Sequence, residues 1–109
     1  MNNKTFRALS NSENGHVSSD TLFNYSQEGN HIWAEYSGGE ILRGSLMGII
    51  TNDSSFQSNY LHLTCDGRLM TGTCTTKIIQ NPEGKLVLDE VWQWTCEDHS
   101  TGTSQLVEI

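Results

Sequence analysis

Two adjacent glycines, Gly38 and Gly39, separate two runs in which apolar and polar residues alternate, 31–37 and 40–48. A two-residue hairpin turn needs positive φ at both central positions, which glycine adopts without strain. The pair therefore predicts an antiparallel hairpin with Glu35 opposite Leu42 and Trp33 opposite Gly44. Alternation then places Trp33, Glu35, Leu42, Gly44 and Leu46 on one face, and Ala34, Tyr36, Ile41, Arg43 and Ser45 on the other. A guanidinium is costly in a small core, so the Arg43 face is expected outside. The inner face then carries an indole and one carboxylate, Glu35, which suggests a pocket more than a dry core.

The rest of the chain repeats this punctuation. Strands are expected over 4–10 and 21–27, then through a three-residue loop at 28–30 that places Tyr25 opposite Trp33 and Phe23 opposite Glu35. The strand after Gly39 runs to about residue 51, and the next spans 56–65. Asp66-Gly67 is a further two-residue hairpin signal; it sets His62 against Thr71 and Tyr60 against Thr73. Asn81-Pro82-Glu83-Gly84 reads as a four-residue turn with proline at its second position, which sets Thr75 against Glu90, Thr73 against Trp92 and Thr71 against Trp94. The two registers agree, and they gather Tyr60, His62, Thr71, Thr73, Glu90, Trp92 and Trp94 on one face. A last strand covers 103–108. No window carries helical periodicity. The expected fold is all-β, a single domain over residues 1–109: an antiparallel up-and-down barrel of about eight strands with little or no helix. A two-sheet sandwich is the alternative. Gly44, Gly48 and Gly72 are expected where strands bend strongly.

Composition narrows the partners. Six Lys and Arg stand against 13 Asp and Glu, a net charge of −7. That balance argues against nucleic acid and anionic membranes, which call for clustered basic residues. No apolar run reaches the ~20 residues of a helical membrane span. The first residues lack the apolar segment of a secretory signal. Cys65, Cys74 and Cys96 are an odd number with no zinc spacing, and read as reduced thiols of a cytoplasmic protein. No metal site and no cofactor is expected.

The candidate ligand-binding residues are Trp33, Glu35, Tyr60, His62, Glu90, Trp92 and Trp94. Aromatic walls with a few convergent polar groups describe many small-molecule sites. The plainer reading is that the indoles fill the barrel and that Glu35 and Glu90 hydrogen-bond to tyrosine, histidine or threonine. Glu35 or Glu90 is also the candidate for acid–base chemistry. His62 suits a donor, a base or a structural role, while His16, His31 and His99 read as loop or strand-end residues. Carboxylates inside favour a ligand with donors or positive charge over an anion. No nucleophile elbow or phosphate loop is present.

The run Trp33-Ala34-Glu35-Tyr36-Ser37-Gly38-Gly39, the segment Tyr60-Leu61-His62, Met70-Thr71-Gly72 with Cys74, and Glu90-Val91-Trp92-Gln93-Trp94-Thr95 together resemble a family of short bacterial β-barrel proteins commonly labelled N-acetylglutamate synthase. The resemblance implies a small barrel of avidin- or lipocalin-like shape and, through the label, transfer of an acetyl group from acetyl-CoA to glutamate. The chain itself has no Gln/Arg-x-x-Gly-x-Gly/Ala loop and no predicted helix to follow one. The expected function is therefore small-molecule binding in a polar-aromatic cavity of a cytoplasmic bacterial barrel. The alternatives are the acetyltransferase and a ligand-free interaction module. The candidate partners are a small molecule and a second copy of the chain.

Overall fold

The computed structural model describes residues 1–109 as eight antiparallel strands: β1 (Lys4–Asn11), β2 (Leu22–Glu28), β3 (His31–Gly38), β4 (Ile41–Asn52), β5 (Ser55–Thr64), β6 (Leu69–Gln80), β7 (Leu86–Trp94) and β8 (Thr101–Glu108). Each pairs with its neighbours in sequence, and β1 closes on β8, giving a barrel. Closure satisfies the backbone groups that an open sheet would leave at its edges. No helix is long and apolar enough to cross a membrane.

The main core joins Phe6, Phe23, Tyr25, Ile32, Ala34, Tyr36, Phe56, Leu88 and Leu106. A smaller cluster, Met70, Trp92 and Trp94, is contributed by β6 and β7. Phe23 and Tyr25 on β2, and Ser104 and Leu106 on β8, are buried.

The β3 face is the reverse of the one expected. Ile32, Ala34 and Tyr36 point inward, and Trp33 and Glu35 point outward. The turn is displaced: Gly38 pairs with Ile41, the loop residues are Gly39 and Glu40, and bulges follow Tyr36 and Ile41. The β1–β2 loop causes this. A side chain at Gly38 would run into the carbonyl of Asp20, and Thr21 Oγ1 donates to Gly38 O at 3.0 Å, so Gly38 belongs to the strand. Outside, Glu35 remains solvated and accepts from Ser45 Oγ at 2.6 Å; inside it would need a dedicated partner. The second bulge turns both Leu42 and Arg43 outward and sends Ile41 in.

Phe23 and Tyr25 are buried as expected, but through a two-residue loop that pairs Phe23 with Tyr36 and Tyr25 with Ala34. The shorter loop and the reversed β3 face compensate.

The hairpins around β6 each differ from expectation by one residue. His62 pairs with Met70 and Tyr60 with Gly72; Cys74 pairs with Trp92, and Thr76 with Glu90. The first loop holds three residues, with Gly67 at φ +87° and Thr64 N donating to Arg68 O. The second keeps Lys85 in the turn, its carbonyl accepting from Asn81 N at 2.9 Å. One slip exchanges the faces of β6, so Thr71 and Thr73 face outward. The other restores β7, so Glu90, Trp92 and Trp94 face inward. The agreement of the two expected registers was a cancellation of two slips.

Candidate functional site

A cavity of about 50 Å³ lies between the two core clusters, walled by Phe23, Tyr36 and Leu46 on one side and by Tyr60, His62, Trp92 and Trp94 on the other. Glu90, Cys74, Ser104 and Asn11 complete it, and His16 and Val17 from the β1–β2 loop close it over.

Three of its aromatic walls rest on glycines. Tyr36 pairs across the sheet with Gly44, Tyr60 with Gly72 and Trp92 with Gly102. A Cβ at any of these glycines would collide with the ring opposite. Each ring therefore lies along the neighbouring strand instead of standing into the barrel, and this keeps the space open. Gly44 and Gly72 thus accommodate the rings opposite them.

Trp92 and Trp94 alternate along β7 beyond Glu90, so all three share the inner face. The two indoles have centroids 5.3 Å apart and tilted by 60°. Trp94 also stands edge-on to Tyr60 and His62, both at 5.7 Å. Its Nε1 donates to Asn14 O at 3.1 Å, which anchors the β1–β2 loop over the cavity. Asn14 Nδ2 further donates to Ser100 Oγ and Thr101 O, tying that loop to the β7–β8 connection.

The polar groups form two sets. Near the mouth, Tyr36 Oη lies 2.9 Å from His62 Nδ1, and His62 Nε2 lies 3.1 Å from His16 Nδ1. Burial pushes His62 down to about 4, helped by His16 and Arg68, so its ring is neutral near pH 7. A neutral imidazole donates through one nitrogen and accepts through the other, so this chain has one direction. Burial raises the Tyr36 and Tyr60 phenols and the Cys74 thiol, which keep their protons. Deeper along β7, Glu90 accepts from Ser104 Oγ at 2.8 Å and from Thr76 Oγ1 at 3.4 Å. Burial pushes its carboxyl up to about 7, and these two hydroxyls oppose the rise.

Of the residues singled out from the sequence, Tyr60, His62, Glu90, Trp92 and Trp94 meet at this cavity. Trp33 and Glu35 do not: both are exposed on the outer wall. Tyr36, Asn11, His16, Cys74 and Ser104 join the cavity without having been picked out. The Tyr36–Gly44 pairing was the available signal for one of them. His16 arrives through the long β1–β2 connection, whose path no local pattern describes.

A closed antiparallel barrel with an aromatic, partly polar cavity capped by a loop at one end defines a class of barrels built to enclose small ligands. The family model described as avidin-like protein matches residues 1–109, and the chain belongs to the avidin-like family. No curated protein and no solved structure matches the chain.

Proposed function

We propose that this protein binds a small molecule in the end of its barrel beneath the β1–β2 loop. The observation that carries the reading is the cavity: three glycines hold its rings back against the wall, and a half-buried carboxylate, Glu90, faces into it. A barrel selected only for packing would fill that space with side chains. Membership of the avidin-like family supports the same reading. The cavity has room for only a few waters, so a ligand of metabolite size displaces the His16 segment on entry. The free thiols of Cys65, Cys74 and Cys96 suit a reducing compartment, so the proposed location is the cytoplasm.

The test is tryptophan fluorescence with thermal stability across a metabolite set that includes biotin, acetyl-CoA and glutamate. A ligand gives a saturable change in emission and a concentration-dependent rise in Tm. A blank screen, with emission insensitive to quencher, assigns the indoles to the core and ends the binding reading. Thiol release from acetyl-CoA with glutamate would instead favour acetyl transfer. The fold offers that chemistry no helix N-terminus for the pyrophosphate.

A second reading rests on the outer wall. Trp33 pairs with Met47, and Ile49, Leu61, Leu63 and Leu69 lie exposed on the same side of β3 to β6. The outward residues of β5 include no charge. On a chain of net charge −7, a largely apolar wall whose charges on β3 and β4, Glu35 and Arg43, are opposite in sign is the surface least repelled by a second copy.

A further inference from the structure

Two acceptors that line the cavity have hydrogen-bonding capacity to spare. A carboxylate has about four acceptor sites, and Glu90 fills two, one of them with the long 3.4 Å bond from Thr76. Asn11 also lines the cavity, and its Oδ1 is buried without a partner while Nδ2 donates to Val17 O. No lysine or arginine lines the space. The chain's ion pairs, Lys4–Glu108 and Arg68 with Asp66 and Glu97, lie outside it. Beside Glu90 on the same face of β7 stand Trp92 and Trp94, whose tilted indoles present electron-rich faces that attract cations.

We propose that the ligand of this cavity is an organic cation, with an ammonium, amidinium or guanidinium head seated against the Glu90 carboxylate and a flat or apolar body held among Trp92, Trp94 and Tyr60. This deepens the binding reading and rests on it. The head supplies the missing donors and the compensating charge. The indoles and the phenol replace its water shell. The loop segment around His16 closes behind it. An anion meets Glu90 with the same sign of charge and is rejected.

The surroundings make the recognition depend on one titrating group. His62 is held neutral, and burial also lowers His16. Tyr25, Tyr36, Tyr60 and Cys74 are all raised and stay protonated. Glu90, pushed up to about 7, is the group whose charge changes across neutrality. A cation and the proton therefore compete for the same carboxylate.

Three planar molecules of one shape test this: benzamidinium, benzamide and benzoate, titrated by calorimetry and tryptophan fluorescence. At about pH 8 benzamidinium binds about tenfold or more tighter than benzamide, and benzoate gives no signal. The preference for the cation shrinks toward about pH 6 as Glu90 takes up its proton. Glu90→Gln, with folding checked by circular dichroism, removes both the preference and its pH dependence. The pH series on the unaltered protein gives the same information without a variant. Benzamide binding as well as benzamidinium, or a preference that survives Glu90→Gln, overturns the cation and leaves the binding reading standing. Failure of all three to bind at millimolar concentration also overturns it. The binding reading falls only if the metabolite screen is blank as well.

Discussion

Glu90→Gln is also expected to stabilise the protein above neutrality and to expose an opposing contribution from His62. The Glu90 carboxyl lies at about 7 in the folded chain against an ordinary 4.5. The folded state thus binds more protons than the unfolded one between these values. The stability from this group is complete below the unfolded value and is lost as pH rises through 7. At ~1.4 kcal/mol per pH unit the loss is about 3 kcal/mol. His62 lies at about 4 against 6.5. It is neutral when folded, so its stability is complete above 6.5 and is lost as pH falls through 4, again by about 3 kcal/mol. The two slopes oppose each other between 4.5 and 6.5, where the unaltered protein should be nearly flat. Replacing Glu90 by glutamine keeps an acceptor for Ser104 but adds an amide NH₂ that needs a partner, at about 1 kcal/mol. The variant should therefore exceed the unaltered protein by about 2 kcal/mol at pH 8 and lie level with it or below near pH 5. Its own stability should climb with pH up to about 6.5. Urea unfolding followed by tryptophan emission at a series of pH values measures this, with unchanged m-values as the condition for reading midpoints as stability. The exposed Asp66 and Asp98 and the half-buried Glu108, whose carboxyls are lowered, cancel in the difference between the two proteins. Parallel curves from pH 5 to pH 8 would refute the argument, because they would mean that Glu90 ionises in the folded barrel as freely as in water.

Gly72→Ala places a Cβ against the Tyr60 ring and 2.7 Å from the Gln93 carbonyl. The ring can move only into the cavity and the carbonyl cannot yield, so the cost should be about 1–3 kcal/mol. That is a fall in Tm of roughly 10 °C by thermal unfolding; an unchanged Tm would mean that the strands separate freely there. Met47→Arg puts a charge in the centre of the exposed wall beside Trp33. Sedimentation should show an assembly that this change dissociates while the ligand-induced fluorescence stays as it was. A monomer in both forms removes the interface reading.

The strand alternation and the turn residues determined the eight antiparallel strands and their neighbour order. Each is a local property: period-two patterning, the glycine and Asn-Pro turns, and the absence of any 3.6-residue period. They also determined that Glu90, Trp92 and Trp94 share a face, because alternation within one strand does not depend on a partner. The tertiary structure decided which face of β3 is inside. A turn shifted by one residue exchanges the whole face, and here the shift follows from packing Gly38 against the Asp20 carbonyl, a contact between distant stretches. For the same reason Trp33 and Glu35 lie outside and Tyr36 inside. Closure of β1 on β8 brought Asn11 and Ser104 to the cavity, since Asn11 pairs with Ser104 and Ser104 with Glu90. The long β1–β2 loop delivered His16 to His62. Local pattern specifies strands and the residues that alternate along them. Which residues meet across a closed barrel is set by shared volume and by the cost of burying charge, and these exist only once the chain has closed.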